Sequence, residues 1–268
     1  MARRKVSNEL WAALEPLIPE FVPSRKGGRR RSVDDQAALN GILYVLHTGI
    51  PWEDLPQEMG FGSGVTCWRR LRDWQAAGVW DKLHLAMLIR LREHDQIDWS
   101  RASIDGANVA KPPGGSETGP NPTDRGKLGS KRHIVVDARG VPLAITVTGA
   151  NRHDSIAFES TLDAIPAVPG LDRRPRKRPS KLHADKGYDY ARCRRYLRKR
   201  GITARIARKG IESKDRLGRH RWGVERTHSW FAGFGKLRTR FERRLDIHKA
   251  LLSIAAAVIT SRFVDDLC

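Results

Sequence analysis

Apolar residues recur at helical spacing through the first hundred residues and at strand spacing after that. SNELWAALEPLI (7–18) opens on a Ser/Asn cap followed by Glu9. It then places Leu10, Trp11, Leu14, Leu17 and Ile18 on one side before Pro19 and Pro23 end it. GGRRRS (27–32) reads as a basic hinge. Asp34 and Asp35 begin a second helix, DDQAALNGILYVLHTG, which Gly49 closes. Beyond a turn-rich connector, IPWEDLPQEMGFGSG, residues 65–80 read as a third helix. It carries Trp68, Leu71 and Trp74 on one face and Arg69, Arg70 and Arg72 on the others. A fourth, WDKLHLAMLIRLREHD, follows. From residue 100 the period shortens. RASIDG (101–106) predicts a strand ending at Asp105, and KRHIVVDA and VPLAITVTG predict two more around the hairpin signal Arg139-Gly140. Residues 111–130 and 169–181 read as loops rich in Gly, Pro and polar residues. Helices over 155–165 and 188–201 alternate with the strands KLHAD and ITARIA. RWGVERTHSWFAGF and DIHKALLSIAAAVITSRFV close the series as helices.

The order strand, hairpin, helix, strand, helix, strand, helix predicts an α/β fold, a mixed sheet flanked by helices and preceded by a small all-helical unit. The division falls at residues 1–98 and 99–268. The N-terminal helices, one of them basic, fit a helix-turn-helix-like DNA-binding module or a plain bundle whose arginines face solvent. Neither G-x-G-x-x-G nor a Walker loop is present, so no nucleotide cofactor is expected. No run of eighteen apolar residues predicts a membrane span, and the basic N-terminus lacks the apolar core of a signal peptide. Cys67, Cys193 and Cys268 are few and widely spaced, as in a cytoplasmic protein.

Charge changes this picture by its placement. The chain carries a formal net charge of +20, yet residues 1–100 hold 14 Lys and Arg against 13 Asp and Glu. Residues 171–244 hold 26 against 7. So concentrated an excess repels itself unless a polyanion neutralises it, and nucleic acid is the expected partner.

Within that basic half, Asp185 follows a short apolar run, as Asp105 does earlier. Glu225 lies on a helix flanked by Arg221, Trp222, Val224 and Arg226. Ligands of open α/β sheets gather beyond the carboxyl ends of strands. Carboxylates brought together there would hold hard divalent cations and carry out phosphoryl transfer, with the surrounding cations holding the nucleic-acid backbone. The same residues also have ordinary readings: Asp185 as a turn or cap, Asp105 as a turn before Gly106, Glu225 paired with Arg221. His183 reads as structural, and His133, His153 and His228 lack zinc-site spacing.

The sequence resembles the DDE transposases of bacterial insertion sequences, in the IS-five superfamily, over nearly its whole length. The resemblance is carried, in order, by GIPWEDLPQEMGFGSGVTCWRRLRDWQAAGVW, SIDGANV, GSKRHIVVDARGVPLAITVTGANRHD, ADKGYD and RWGVERTHSWF. It implies a ribonuclease-H-like catalytic domain behind a helical DNA-binding domain. By motif match Asp105, Asp185 and Glu225 take the catalytic, metal-holding positions, with magnesium or manganese, two ions, as cofactor. It also implies double-stranded DNA as partner, both element terminal inverted repeats and target DNA, and a homo-oligomer on that DNA, nucleoid-associated in a bacterial cytoplasm. Arg221 and Glu225 match the family's glutamate block, whereas Gly218 and Ala232 stand where it often has Tyr and Lys; Lys236, a turn further on, is the expected substitute for the latter. Expected DNA contacts are Arg69, Arg70, Lys127, Lys131, Arg132, Lys186, Arg221, Arg226 and Lys236. The alternatives are a catalytically inactive protein occupying element ends, or a ribonuclease-H-like nuclease.

Overall fold

Ser7 caps the first helix, its hydroxyl accepting from the Leu10 N–H, and α1 (Asn8–Leu14) buries Leu10, Ala13 and Leu14. Pro16 cannot continue the ladder, so the chain tightens into a 3₁₀ turn over Glu15–Leu17. The computed structural model describes residues 6–21, 33–112, 114–171, 174–211 and 218–265, without the side chains of residues 218–221 and 265. The expected hinge at 27–32 lies outside them. α2 (Asp35–Thr48) has the caps read from its sequence: the Asp34 carboxylate accepts from the Ala37 N–H, and Gly49 ends it at φ 81°.

One helix boundary differs from the sequence expectation. The third helix ends early: α3 spans Gly64–Ala76, and Gly78, at φ 70°, breaks the chain before α4 (Val79–Glu93). The connector from α2 to α3 holds two 3₁₀ turns, Trp52–Asp54 and Gln57–Met59, far longer than the three or four residues of a helix-turn-helix corner.

The sheet has six strands: β1 (Ala102–Ala110), β2 (Gly119–Pro120), β3 (Leu128–Asp137), β4 (Pro142–Gly149), β5 (Lys181–Ala184) and β6 (Thr203–Ile206). β1 and β4 flank β3 antiparallel, and β5 then β6 add parallel to β1 on its other side. With the short β2 set aside, the five main strands lie in the order third, second, first, fourth, fifth, with only the second reversed. That is the ribonuclease-H-like arrangement. β1 does not stop at Asp105, as its sequence implied. Its parallel partner ends, but pairing with β3 continues to Ala110 opposite Gly129.

Side-chain alternation sorts the core into two layers. Ile134 and Val136 of β3 point toward α7 (Gly218–Ala232) and α9 (Leu245–Asp265), packing with Val224, Phe231 and Ile254. Val135, between them, joins Ile104, Leu182 and Ala184 beneath α5 (Phe158–Asp163) and α6 (Ala191–Lys199) through Phe158, Leu162 and Leu197. The first of these clusters also takes in α1 to α4, so the N-terminal helices share one core with α9. By length and composition α9 is apolar enough to cross a membrane, but 72% of its most apolar stretch is buried among these elements. A helix apolar on all sides needs such a surround.

Two junctions hold the layers in register. At the first, Gly49 meets Gly235, where α8 (Gly235–Arg238) begins; a Cβ on Gly235 would lie 2.5 Å from the Thr48 carbonyl oxygen. At the second, the Asp137 carboxylate, 1% exposed, accepts from the N–H groups of Arg139 at 2.9 Å and Val141 at 2.8 Å. It also accepts from the Asp98 N–H at 2.9 Å, which ties the β3–β4 hairpin to the segment entering β1. Burial pushes this carboxyl up to about 6, against the pull of those three donors.

We therefore expect Gly235→Ala to lower unfolding free energy by roughly 1–3 kcal/mol through overpacking against backbone. Gly223→Ala, whose new methyl meets nothing closer than 3.7 Å in mid-helix, should be neutral or stabilising in the same denaturant titration. For Asp137 the raised carboxyl means the folded chain holds the proton more tightly than the unfolded one. Its stabilising effect is complete below about pH 4 and is lost as pH rises through about 6. Relative to Asp137→Asn, unfolding free energy should fall by up to roughly 3 kcal/mol between pH 4 and 7.

Candidate active site

β1 and β5 pair in parallel at Ala102 with Leu182 and Ser103 with His183. Continued by two residues, that register sets Asp105 opposite Asp185, at a strand spacing of about 5 Å. Ala102, Ile104, Leu182 and Ala184 point into the α5–α6 layer. Ser103, Asp105, His183 and Asp185 therefore face the other side. That this is the α7 side follows from Arg132. It lies opposite Ala107 of β1, donates to the His228 carbonyl of α7, and stands 4.8 Å over the Phe231 ring.

Asp185 leaves β5 still extended and caps the 3₁₀ turn Lys186–Tyr188, its Oδ1 accepting from the Gly187 N–H at 2.8 Å. The turn-capping role weighed for it in the sequence is thus present, and it uses one carboxylate oxygen. Gly187 is needed for this approach, since a Cβ there would stand 2.9 Å from that oxygen. Glu225 lies on α7 between buried Val224 and Thr227, with its own side chain exposed. Both aspartates are half-buried. Among the described residues no three His, Cys, Asp or Glu side chains close on one point tightly enough to hold a metal ion. Two aspartates on adjacent parallel strands are a fitting oxygen pair for a hard cation that keeps much of its own water. Glu225 stands on the helix over the same strands, outside a closed ligand set. Among the described residues the histidines add no ligand group. His133 bonds Thr148 Oγ1 at 2.8 Å, and burial lowers its imidazole to about 4; His153 Nδ1 shares a hydrogen bond with Ser155.

Residues 97–260 match the family described as "Transposase DDE domain". The chain belongs to the DDE transposase family. Residues 6–84 of this transposase match a second family, "Putative transposase of IS4/5 family". The transposase is 51% identical over 159 residues, 59% of its own length and 74% of the relative's, to the "Putative transposase for insertion sequence element IS402" of Burkholderia cepacia. It is 25% identical over 134 residues, 48% of its length and 43% of the relative's, to the transposase for insertion sequence element IS1106 of Neisseria meningitidis serogroup B. Among solved structures it is similar to a pre-cleavage Mos1 transpososome at 11% identity and a TM-score of 0.29, over 90% of this chain and 82% of that one. A similarity that low supports no argument, and the fold rests on the strand order. Membership of the DDE family implies use of a divalent metal and action on DNA.

Most cations expected to meet DNA are engaged within the transposase itself. Arg70 donates to Asp35 Oδ1 at 2.9 Å and to the Val33 carbonyl, tying α3 to α2. Lys131 is buried between Asp154, at 2.8 Å, and the Arg152 carbonyl. Arg132 is 4% exposed, and burial brings its guanidinium down to about 10. Arg226 is stacked between Trp222 and Trp230, at 4.2 and 4.5 Å, and donates to the Arg139 carbonyl. Lys236 is buried, donating to the Ile50 carbonyl at 3.1 Å beside Glu242, so it does not replace the lysine missing at Ala232. Arg69 and Lys127 are exposed, the latter 3.7 Å from Asp124, and Lys186 is half-buried. The side chain of Arg221 lies outside the described residues. Lys111 and Arg240, both fully buried, were not singled out in the sequence, where nothing distinguishes them from surface cations.

Lys236→Met should accordingly lower unfolding free energy by roughly 1–3 kcal/mol while leaving the salt dependence of DNA binding unchanged. A denaturant titration and a binding isotherm at several salt concentrations separate the two effects.

Proposed function

We propose that the transposase cleaves DNA at insertion-sequence ends and joins the freed 3′-hydroxyl to target DNA on the face that carries Asp105, Asp185 and Glu225. The observation that supports this reading is the parallel register of β1 and β5, which, carried two residues past its last rung, sets Asp105 opposite Asp185. In the first step water attacks phosphorus in line and the strand's 3′-oxygen leaves as a hydroxyl. In the second, that hydroxyl attacks a target phosphodiester and displaces the target strand's own 3′-oxygen. No protein nucleophile is needed.

Asp105 and Asp185 hold the divalent ions, two of magnesium or manganese, and Glu225 enters from α7. When bound, such ions acidify the attacking oxygen and stabilise the leaving one. Asp185 is oriented for this by the Gly187 N–H, which fixes one of its oxygens. The accessible cations Arg69, Lys127 and Lys186 hold the phosphate backbone, and Arg221 is a further candidate. Two element ends react together, so the active species is a homo-oligomer on DNA. The enzyme is nucleoid-associated through its substrate.

Asp185→Asn keeps the oxygen that caps the turn and removes the charge. Strand transfer of an element-end duplex with magnesium should fall by at least about 100-fold, with binding of the same duplex retained. Unchanged strand transfer would end the assignment. Magnesium-independent binding without nicking by the unaltered chain would instead mark a protein that only occupies element ends. Preferential cutting of an RNA–DNA hybrid would mark a nuclease.

A further inference from the structure

The register that places the two aspartates continues one strand further. His183 of β5, paired with Ser103 of β1, is paired on its other side with Arg205 of β6, and Lys181 is paired with Thr203. Directly paired residues point to the same face of a sheet. Ala204 and Ile206 pack into the α5–α6 layer. Arg205 therefore shares the face of His183 and Asp185, as does Lys181, which precedes them on β5 at the same alternation.

Both side chains are exposed, as is Thr203 between them, so the described side chains of α7 do not cover this edge of the sheet. Neither has a hydrogen bond or ion pair among the described residues. That distinguishes them from Arg192 and Arg194 of α6 and Arg200 just after it, which are paired to Glu159, Asp189 and Asp163. From the strand spacing and rise, the Arg205 Cα stands about 8 Å from that of Asp185. An arginine spans most of that gap, so its guanidinium reaches the groups one or two phosphates away from a phosphodiester held at the aspartates.

We propose that Arg205 and Lys181 form a phosphate clamp on the open β6 edge, holding the backbone of the reacting DNA strand beside Asp105 and Asp185. The proposal rests on the assignment of those aspartates above. Arg205, whose planar fork takes two phosphate oxygens at once, is the stronger of the pair. These are positioning residues: they do not touch the reacting phosphorus and set where the strand lies.

The test is the salt dependence of binding of a short duplex carrying an element end, read alongside the DNA concentration that half-saturates cleavage. Removing one cation from the phosphates of duplex DNA lowers the log–log slope by about 0.9. Arg205→Gln should lower it by about 1 and raise the half-saturating DNA concentration several-fold, with the rate at saturating DNA within about twofold of the parent. Arg205→Lys should restore the slope, because the charge remains. Lys181→Gln should lower the slope by about 1, and the double variant by about 2. Lys199→Gln removes an exposed cation from α6, on the opposite layer, and should leave the slope unchanged. An unaltered slope and half-saturation in Arg205→Gln would overturn the proposal. So would an equal loss in Lys199→Gln, which would mean that only the overall field acts. Asp105→Asn separates this from the assignment beneath it. If Asp105→Asn cleaves normally, the site itself is misassigned. If it is inactive while Arg205→Gln matches the parent, only the clamp fails.

Discussion

Two hydrogen-bonded rungs, Ala102 with Leu182 and Ser103 with His183, decide where the carboxylates of this chain stand. A strand displaced by one residue turns every side chain to the other face. At this junction the displacement would send Asp185 into the layer beneath α5 and α6 and bring Leu182 out. Leu182 and Ala184 are buried, at 0% and 2% exposure, so the hydrophobic cost of that exchange fixes the register. The placement of the acidic pair is therefore enforced by the apolar residues alternating with it. The pairing is also brief. β5 spans four residues, and beyond it Asp185 turns into its capped 3₁₀ turn while β1 runs on against β3. On the reading proposed above, the departure of β5 is where DNA reaches both aspartates.

The opposite layer is governed by α9. It lies between the sheet and the N-terminal helices, and its alanines at 255, 256 and 257 are fully buried. Small residues there let α4 approach closely. The division of the chain into a helical unit and a catalytic unit is therefore a division of sequence more than of packing, for one apolar cluster runs through both. Lys236 and Trp52 reinforce the junction from the side, each bonded to Glu242 or close to it.

Much of this was legible in the sequence where a local rule acts. Ser7, Asp34 and Gly49 cap helices as their residue types require, and the aspartates follow apolar runs that became strands. The end of β1 was not legible. Residues 106–110 are small or polar except Val109, and the antiparallel partner across the sheet, with a bridge from Ala110 to Thr239, keeps them extended. The two helices α3 and α4 were legible but their boundary was not, because Gly78, at positive φ, ends the first a few residues before its helical pattern fades. The cations were least legible. Lys131, Arg132 and Lys236 look like surface residues in any window of sequence, yet each is buried against carbonyls, an aromatic ring or a carboxylate contributed by distant segments. The charge excess in residues 171–244 correctly pointed to a polyanion, but it does not say which cations remain available to one.

The shared core also has a consequence in time. About 230 residues separate α1 from the start of α9. At roughly 5–20 residues per second, a ribosome needs on the order of 10–50 s to travel that distance. Until α9 emerges, α1 to α4 lack the apolar partner they fold around. Nascent chains thus wait with greasy helices uncovered, and maturation of the enzyme is coupled to late events in its own translation.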